Sequence, residues 1–146
     1  TMLKSNHHVV ANLDGGEGYT THMKVGSHYM VADEPTEVGG NNFGPTPYEL
    51  VSAGLAACTA MTIKMYVARK GWDLQNVEVH TSYDKKHKAD CDNCESPTAK
   101  IDTFEREIKV TGNLDEAQKA KIMEIADKCP VHKTLHTETQ VITRLL

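Results

Sequence analysis

Apolar and polar residues alternate first in three short β-type runs, residues 8–13, 19–25 and 28–32. Gly15-Gly16 and Gly26-Ser27 separate them, and turns with glycine suit hairpins. Residues 33–45 follow as a loop whose Gly39-Gly40-Asn41-Asn42 core resists regular structure. Thr46 then caps a helix, Pro47 takes its first position, and Glu49 completes a capping box. The helix runs to Lys70, where Gly71 stops it. Its centre, Ser52 to Ala60, has small residues on nearly every face, which predicts a buried helix closely approached by other backbone or by a second helix.

Alternation returns over residues 74–84, with Val77, Val79, Thr81 and Tyr83 on one side, and over residues 104–111, with Phe104, Arg106, Ile108 and Val110 in step. Between them, residues 85–101 form a polar excursion that carries Cys91 and Cys94. Asp115 caps a second helix ending near Lys128, whose apolar face is Ile122, Ile125 and Ala126. Cys129-Pro130 restarts the chain in a short helical turn to Leu135, and residues 139–145 read as a closing strand. The order βββ-α-ββ-α-β predicts one α+β domain over residues 1–146, a mostly antiparallel sheet covering two main helices.

Charge narrows the function. With 16 basic and 20 acidic side chains among 146 residues the formal charge is −4, against a nucleic-acid or anionic-membrane binder. The lone basic cluster, Lys85-Lys86-His87-Lys88, reads as a solvated hairpin tip. No stretch approaches the roughly 20 consecutive apolar residues of a membrane span. The N-terminus lacks the apolar core of a signal peptide, so the expected compartment is the cytoplasm. There, Cys58, Cys91, Cys94 and Cys129 should be free, catalytic or metal-bound.

Each thiol has a plain and a chemical reading. Cys58 lies mid-helix on a face with Val51, Gly54, Leu55, Thr62 and Met65, as a small core residue or as a nucleophile needing a neighbouring cation. Cys129 precedes Pro130, where free backbone N–H groups stabilise a thiolate. If the two meet, a sulfenic acid on one can condense with the other to a disulfide. Cys91-Asp92-Asn93-Cys94 is a Cys-x-x-Cys that could be idle, disulfide-bonded, or half of a zinc site completed from His87, His132 and His136. The sequence has no phosphate-binding glycine loop, no nucleophile elbow and no zinc-protease motif, and it calls for no cofactor.

The stretch Gly44-Pro45-Thr46-Pro47-Tyr48-Glu49-Leu50, continuing to Cys58, resembles the first-cysteine helix of the OsmC/Ohr family, the osmotically induced and organic hydroperoxide resistance proteins. Cys129-Pro130-Val131-His132 resembles the family's second-cysteine motif. The resemblance covers nearly the whole chain. It implies an intertwined homodimer with two long central helices wrapped by sheets. It also implies thiol-dependent reduction of organic hydroperoxides, with Cys58 attacked by peroxide, Cys129 resolving, and a dithiol as reductant. The family's peroxidases pair an N-terminal Arg with a Glu directly after the helix-opening Pro. Here Tyr48 follows Pro47, Glu49 is one position late, and no Arg precedes Arg69. One residue turns a helical side chain by about 100°. The cation for Cys58 must then come from Arg106, His28 or Lys24, with Arg106 favoured because Arg stays charged when buried. The insert at 90–95 and the Ala126–His132 stretch resemble a divergent branch that sometimes follows an α/β-hydrolase domain. The alternative to a peroxidase is a non-catalytic module binding an apolar ligand at the dimer interface.

Overall fold

The computed structural model describes residue 3, residues 6–87 and residues 100–146. It divides into two compact units, residues 1–50 with 142–146, and residues 51–141.

In the first unit, β1 (Val9–Asn12), β2 (Thr21–Val25) and β3 (His28–Ala32) form an antiparallel sheet in the order β1-β2-β3. Met23 pairs with Ala11 on one side and Met30 on the other. The loop after β3 contains a short 3-10 turn, Thr36–Val38, and is organised by one carboxylate. Asp33, only 2% exposed, accepts from the Thr20 hydroxyl and the Glu34 amide at 2.8 Å, and from the Asn41 and Phe43 amides at 3.3 Å. Burial raises its pKa, but these four donors outweigh burial and hold the carboxyl below its ordinary value.

The helix α1 (Pro47–Lys70) begins and ends as its sequence predicts. Thr46 Oγ1 accepts from the Glu49 amide at 3.2 Å, and the Glu49 carboxylate accepts from the Thr46 amide at 2.9 Å. At the other end Gly71 adopts φ 68°, with Trp72 N–H on the Val67 carbonyl and Gly71 N–H on the Ala68 carbonyl. That is the Schellman arrangement, and only glycine enters it without strain.

The second unit packs α1 from Val51 onward with a long ribbon, β4 (Asp73–His87) against β5 (Lys100–Asn113), antiparallel with Val77 opposite Val110 and Thr81 opposite Arg106. Both strands outrun the sequence expectation. Lys85 and Lys86 are strand residues paired with Asp102 and Glu105, not a hairpin tip. The helices α2 (Glu116–Ala126), capped reciprocally by Asp115 and Gln118, and α3 (Pro130–Leu135) complete the unit. Ile63 and Val67 of α1 meet Leu114, Ile122 and Ala126, with Trp72, Leu74, Val77, Ile108 and Val110 around them. Tyr66 and Trp72 pack edge to face at 5.6 Å.

Three sequence expectations are corrected. Residues 139–145 are not a strand: they pair with no neighbour among the described residues, and Val141 and Ile142 are 85% and 66% exposed. A strand exists only where a second edge satisfies its amides. Within a single chain the small-residue helix is not buried all round. Its covered stripe is Ser52, Leu55, Thr59, Ile63 and Val67, at helical spacing, while Gly54, Ala57, Met61 and Met65 face outward. Third, α1 is long and apolar enough, by length and composition, to cross a membrane. The alanines, valines and methionines supply that apolar character without forming an unbroken run of large apolar residues.

Candidate active site: a thiol pair beside a buried arginine

Cys58 and Cys129 stand 71 positions apart in sequence, yet the fold brings the two free thiols near enough for each to shift the other's acidity. Two local structures bring them together. Cys58 is carried by α1 just before the buried Thr59, and Cys129 caps α3 with its sulfur accepting the His132 amide at 3.5 Å. Cys129 is fully buried, whereas Cys58 is half-buried.

The two thiols titrate in opposite directions. Burial pushes Cys58 up, and its hydrogen bond and charge repulsion with Cys129 add to that. The Val131 amide and the Thr62 hydroxyl pull only partly against them. Burial also raises Cys129, but the Cys58 thiol, the His132 and Val131 amides and the Thr59 hydroxyl together bring it below the ordinary thiol value. Of the two thiols, Cys129 is therefore the more acidic.

Arg106 lies on the inward face of β5, between Phe104 and Ile108, with a side chain only 12% exposed. Nη1 donates to Thr59 Oγ1 at 2.9 Å and to the Ala126 carbonyl at 3.1 Å, and Nη2 donates to Asp127 Oδ1 at 2.8 Å. Arg106 thus reaches the residue beside Cys58 and the segment that leads into Cys129. The other cations considered sit in the first unit: Lys24, on β2, lies 5.9 Å from the Tyr29 ring centroid, and His28 opens β3. Glu49 is occupied by its capping box.

Sequence reasoning missed Thr59, whose hydroxyl accepts from Arg106 and donates to the Leu55 carbonyl at 2.7 Å. Its only sequence signal was a polar residue on the apolar stripe of α1. His132 and His136 do share a helical face, stacked with ring centroids at 4.3 Å, and His136 Nδ1 lies 2.9 Å from the His132 carbonyl. Cys91, Cys94 and the His87 side chain lie outside the described residues. Among the described residues no group of three His, Cys, Asp or Glu could hold a metal.

These features define a class first, a paired-thiol α+β protein. The model of the OsmC-like proteins matches residues 39–144, and the chain belongs to that family. No curated protein matches it. Among solved structures it is similar to an OsmC-like protein of Mycoplasma pneumoniae, with 15% identity, TM-score 0.68, and coverage of 92% of this chain and 89% of that one. It also resembles an organic hydroperoxide resistance protein OsmC of Legionella pneumophila, with 18% identity, TM-score 0.59, and 90% and 91% coverage. The organic hydroperoxide resistance protein OhrB of Bacillus subtilis is similar at 20% identity, TM-score 0.54 and 87% coverage of both chains. At these identities the likeness shows the fold: an α+β chain of antiparallel sheets and helices.

Proposed function

We propose that the protein is a thiol-dependent peroxidase that reduces organic hydroperoxides through Cys58 and Cys129. The supporting observation is the pair of free thiols brought together by the fold, the buried Cys129 the more acidic and the half-buried Cys58 beside it. The Cys129 thiolate takes the Cys58 proton as the Cys58 sulfur attacks the distal peroxide oxygen. The O–O bond breaks, Cys58 becomes a sulfenic acid, and the departing alkoxide takes the proton from Cys129 to leave as an alcohol. The Cys129 thiolate then attacks the Cys58 sulfur and a disulfide forms, the displaced hydroxide carrying the negative charge into solvent. The thiols lose two electrons and the peroxide gains them. An external dithiol restores the pair by exchange.

A homodimer in the cytoplasm is part of this reading. Only 28% of the apolar window of α1 is buried within one chain, and Met61 and Met65, 60% and 66% exposed, continue an outward apolar face. A second copy supplies a cover for such a face. Two free thiols suit a reducing compartment.

The test is consumption of cumene hydroperoxide against hydrogen peroxide, with a dithiol supplied, by wild type, Cys58→Ser and Cys129→Ser. Turnover that prefers the organic substrate and is lost in Cys58→Ser is expected; equal rates in all three proteins refute the reading. The second reading, a non-catalytic module for an apolar ligand, draws on a cavity of about 500 Å³ lined by Ala60, Met61, Val67, Trp72, Leu74 and Val77. Absence of peroxide consumption together with saturable binding of a hydrophobic dye there selects it.

A further inference from the structure

We propose that the cavity between the second half of α1 and the start of β4 binds a single-chain amphiphile with a carboxylate head, its chain on the apolar floor and its head at Lys64. The inference goes beyond the peroxidase reading, since neither thiol lines this cavity, and it names the ligand class that the apolar-module reading leaves open.

The cavity measures about 500 Å³, the size of a small-molecule site. Val67, Trp72, Leu74 and Val77 make its floor, and all four belong to the core or pack on it, so the fold itself fixes the floor. Two local devices shape it. The Gly71 stop brings Trp72 in directly after α1, with its N–H on the Val67 carbonyl. A bulge then interrupts the β4–β5 ladder. Leu74 pairs with Gly112 and Asn76 with Thr111, which leaves Gln75 as the extra residue. Gly112 makes room for it, because a side chain there would collide with the Asp73 carbonyl. The bulge breaks the alternation of the strand. Leu74 and Val77 are both half-buried, while Gln75 and Asn76 between them are both exposed at the rim.

The charge of the lining has one sign. Lys64 is a full positive charge and no Asp or Glu lines the cavity, in a chain of net charge −4. Among the described residues Lys64 has no ion pair, and the Trp72 indole N–H and the Gln75 and Asn76 side-chain amides have no hydrogen-bond partner. Donors left over in this way fit an anion. One cation matches one carboxylate, whereas a phosphate dianion leaves a charge unpaired beside an apolar floor. The floor gains from a hydrocarbon chain behind the head. Met61 lines the cavity and also belongs to the outward face of α1, so a second copy is the competing occupant. An apolar surface from that copy leaves Lys64 and the other donors unmatched.

Trp72 is the one tryptophan of the chain, so its fluorescence reports this cavity. The full chain, with its thiols kept reduced, is titrated with octanoate, decanoate and dodecanoate below micelle formation, and with 1-decanol, decylammonium and decyl phosphate. Saturable binding should tighten by about fourfold for each methylene buried. Decanoate should bind about fivefold more tightly than decanol, and added salt should erase that margin. Lys64→Met, which keeps an apolar stem, should remove the preference for decanoate, and Lys64→Arg should keep it. Circular dichroism accompanies each variant, and if Lys64→Met does not fold, the head-group series on wild type decides. Decanoate affinity unchanged in folded Lys64→Met overturns the proposal, as does decanol, decylammonium or decyl phosphate binding as tightly as decanoate. No Trp72 response at any chain length also overturns it, and the same silence in a chain that sediments as a dimer gives the cavity to the second copy. Peroxide is absent throughout, so failure here leaves the peroxidase reading standing, and loss of that reading leaves this one.

Discussion

The half-buried Cys58 and the fully buried Cys129 shift each other's acidity in opposite directions, Cys58 above the ordinary thiol value and Cys129 below it. Exposure and acidity are thus divided between the two thiols. In the proposed reaction the more exposed sulfur meets the peroxide and the more acidic one takes its proton.

One equivalent of organic hydroperoxide should therefore give a Cys58–Cys129 disulfide in wild type, mapped by mass spectrometry. In Cys129→Ser, sulfenic acid should be trapped on Cys58 at a rate at least tenfold lower, because the base that takes its proton is gone. Sulfenic acid on Cys129 in Cys58→Ser at undiminished rate would reverse the roles.

Stability of the second unit should depend on Ile63. It has no exposed surface and packs on Ile122 and Ala126. Ile63→Ala should cost about 3 kcal/mol, measured by urea denaturation, from lost transfer energy and the cavity left behind. Met123→Ala, at a 52% exposed position of α2, should cost well under half of that.

His132 should make the fold acid-sensitive. Burial lowers its pKa from the ordinary 6.5, the charges of Arg106 and His136 lower it further, and Asp127 opposes them. The unfolded chain then binds the proton more tightly than the folded one. Stability is full above about pH 6.5 and falls as pH drops through the folded value. Denaturation midpoints at pH 7.5 and 5.5 should differ in wild type, and by less in His132→Gln.

Asp33 acts in a lower window. Its carboxyl is held below the ordinary 3.8, so its contribution is complete above that pH and is lost as pH falls further. Asp33→Asn should remove this part of the acid transition, followed by the chemical shifts of the Asn41 and Phe43 amides.

The outward face of α1 should bury a second copy. Sedimentation at micromolar concentration is expected to give twice the 16.1 kDa chain mass. Met61→Glu/Met65→Glu should shift that species toward monomer, and a monomeric wild type would remove the dimer from the reading.

The sequence by itself determined those elements whose causes are local. The Thr46–Glu49 capping box, the Gly71 stop, the Cys129-Pro130 restart and the alternation through Val77, Val79, Thr81 and Tyr83 involve neighbours within a few residues. Each appears in the structure close to where its pattern placed it. Even the inward place of Arg106 was legible, since it kept step with Phe104, Ile108 and Val110. Its partners were not. Thr59, Ala126 and Asp127 come from two other helical segments, and only packing sets β5 against them. The same holds for the covered stripe of α1, because small residues on every face leave the choice of face to whatever packs there. It holds too for the lowered pKa of Cys129, because a thiol's acidity depends on burial and on donors distant in sequence. Residues 139–145 illustrate the limit: alternation makes a segment able to be a strand, and a partner edge decides whether it is one.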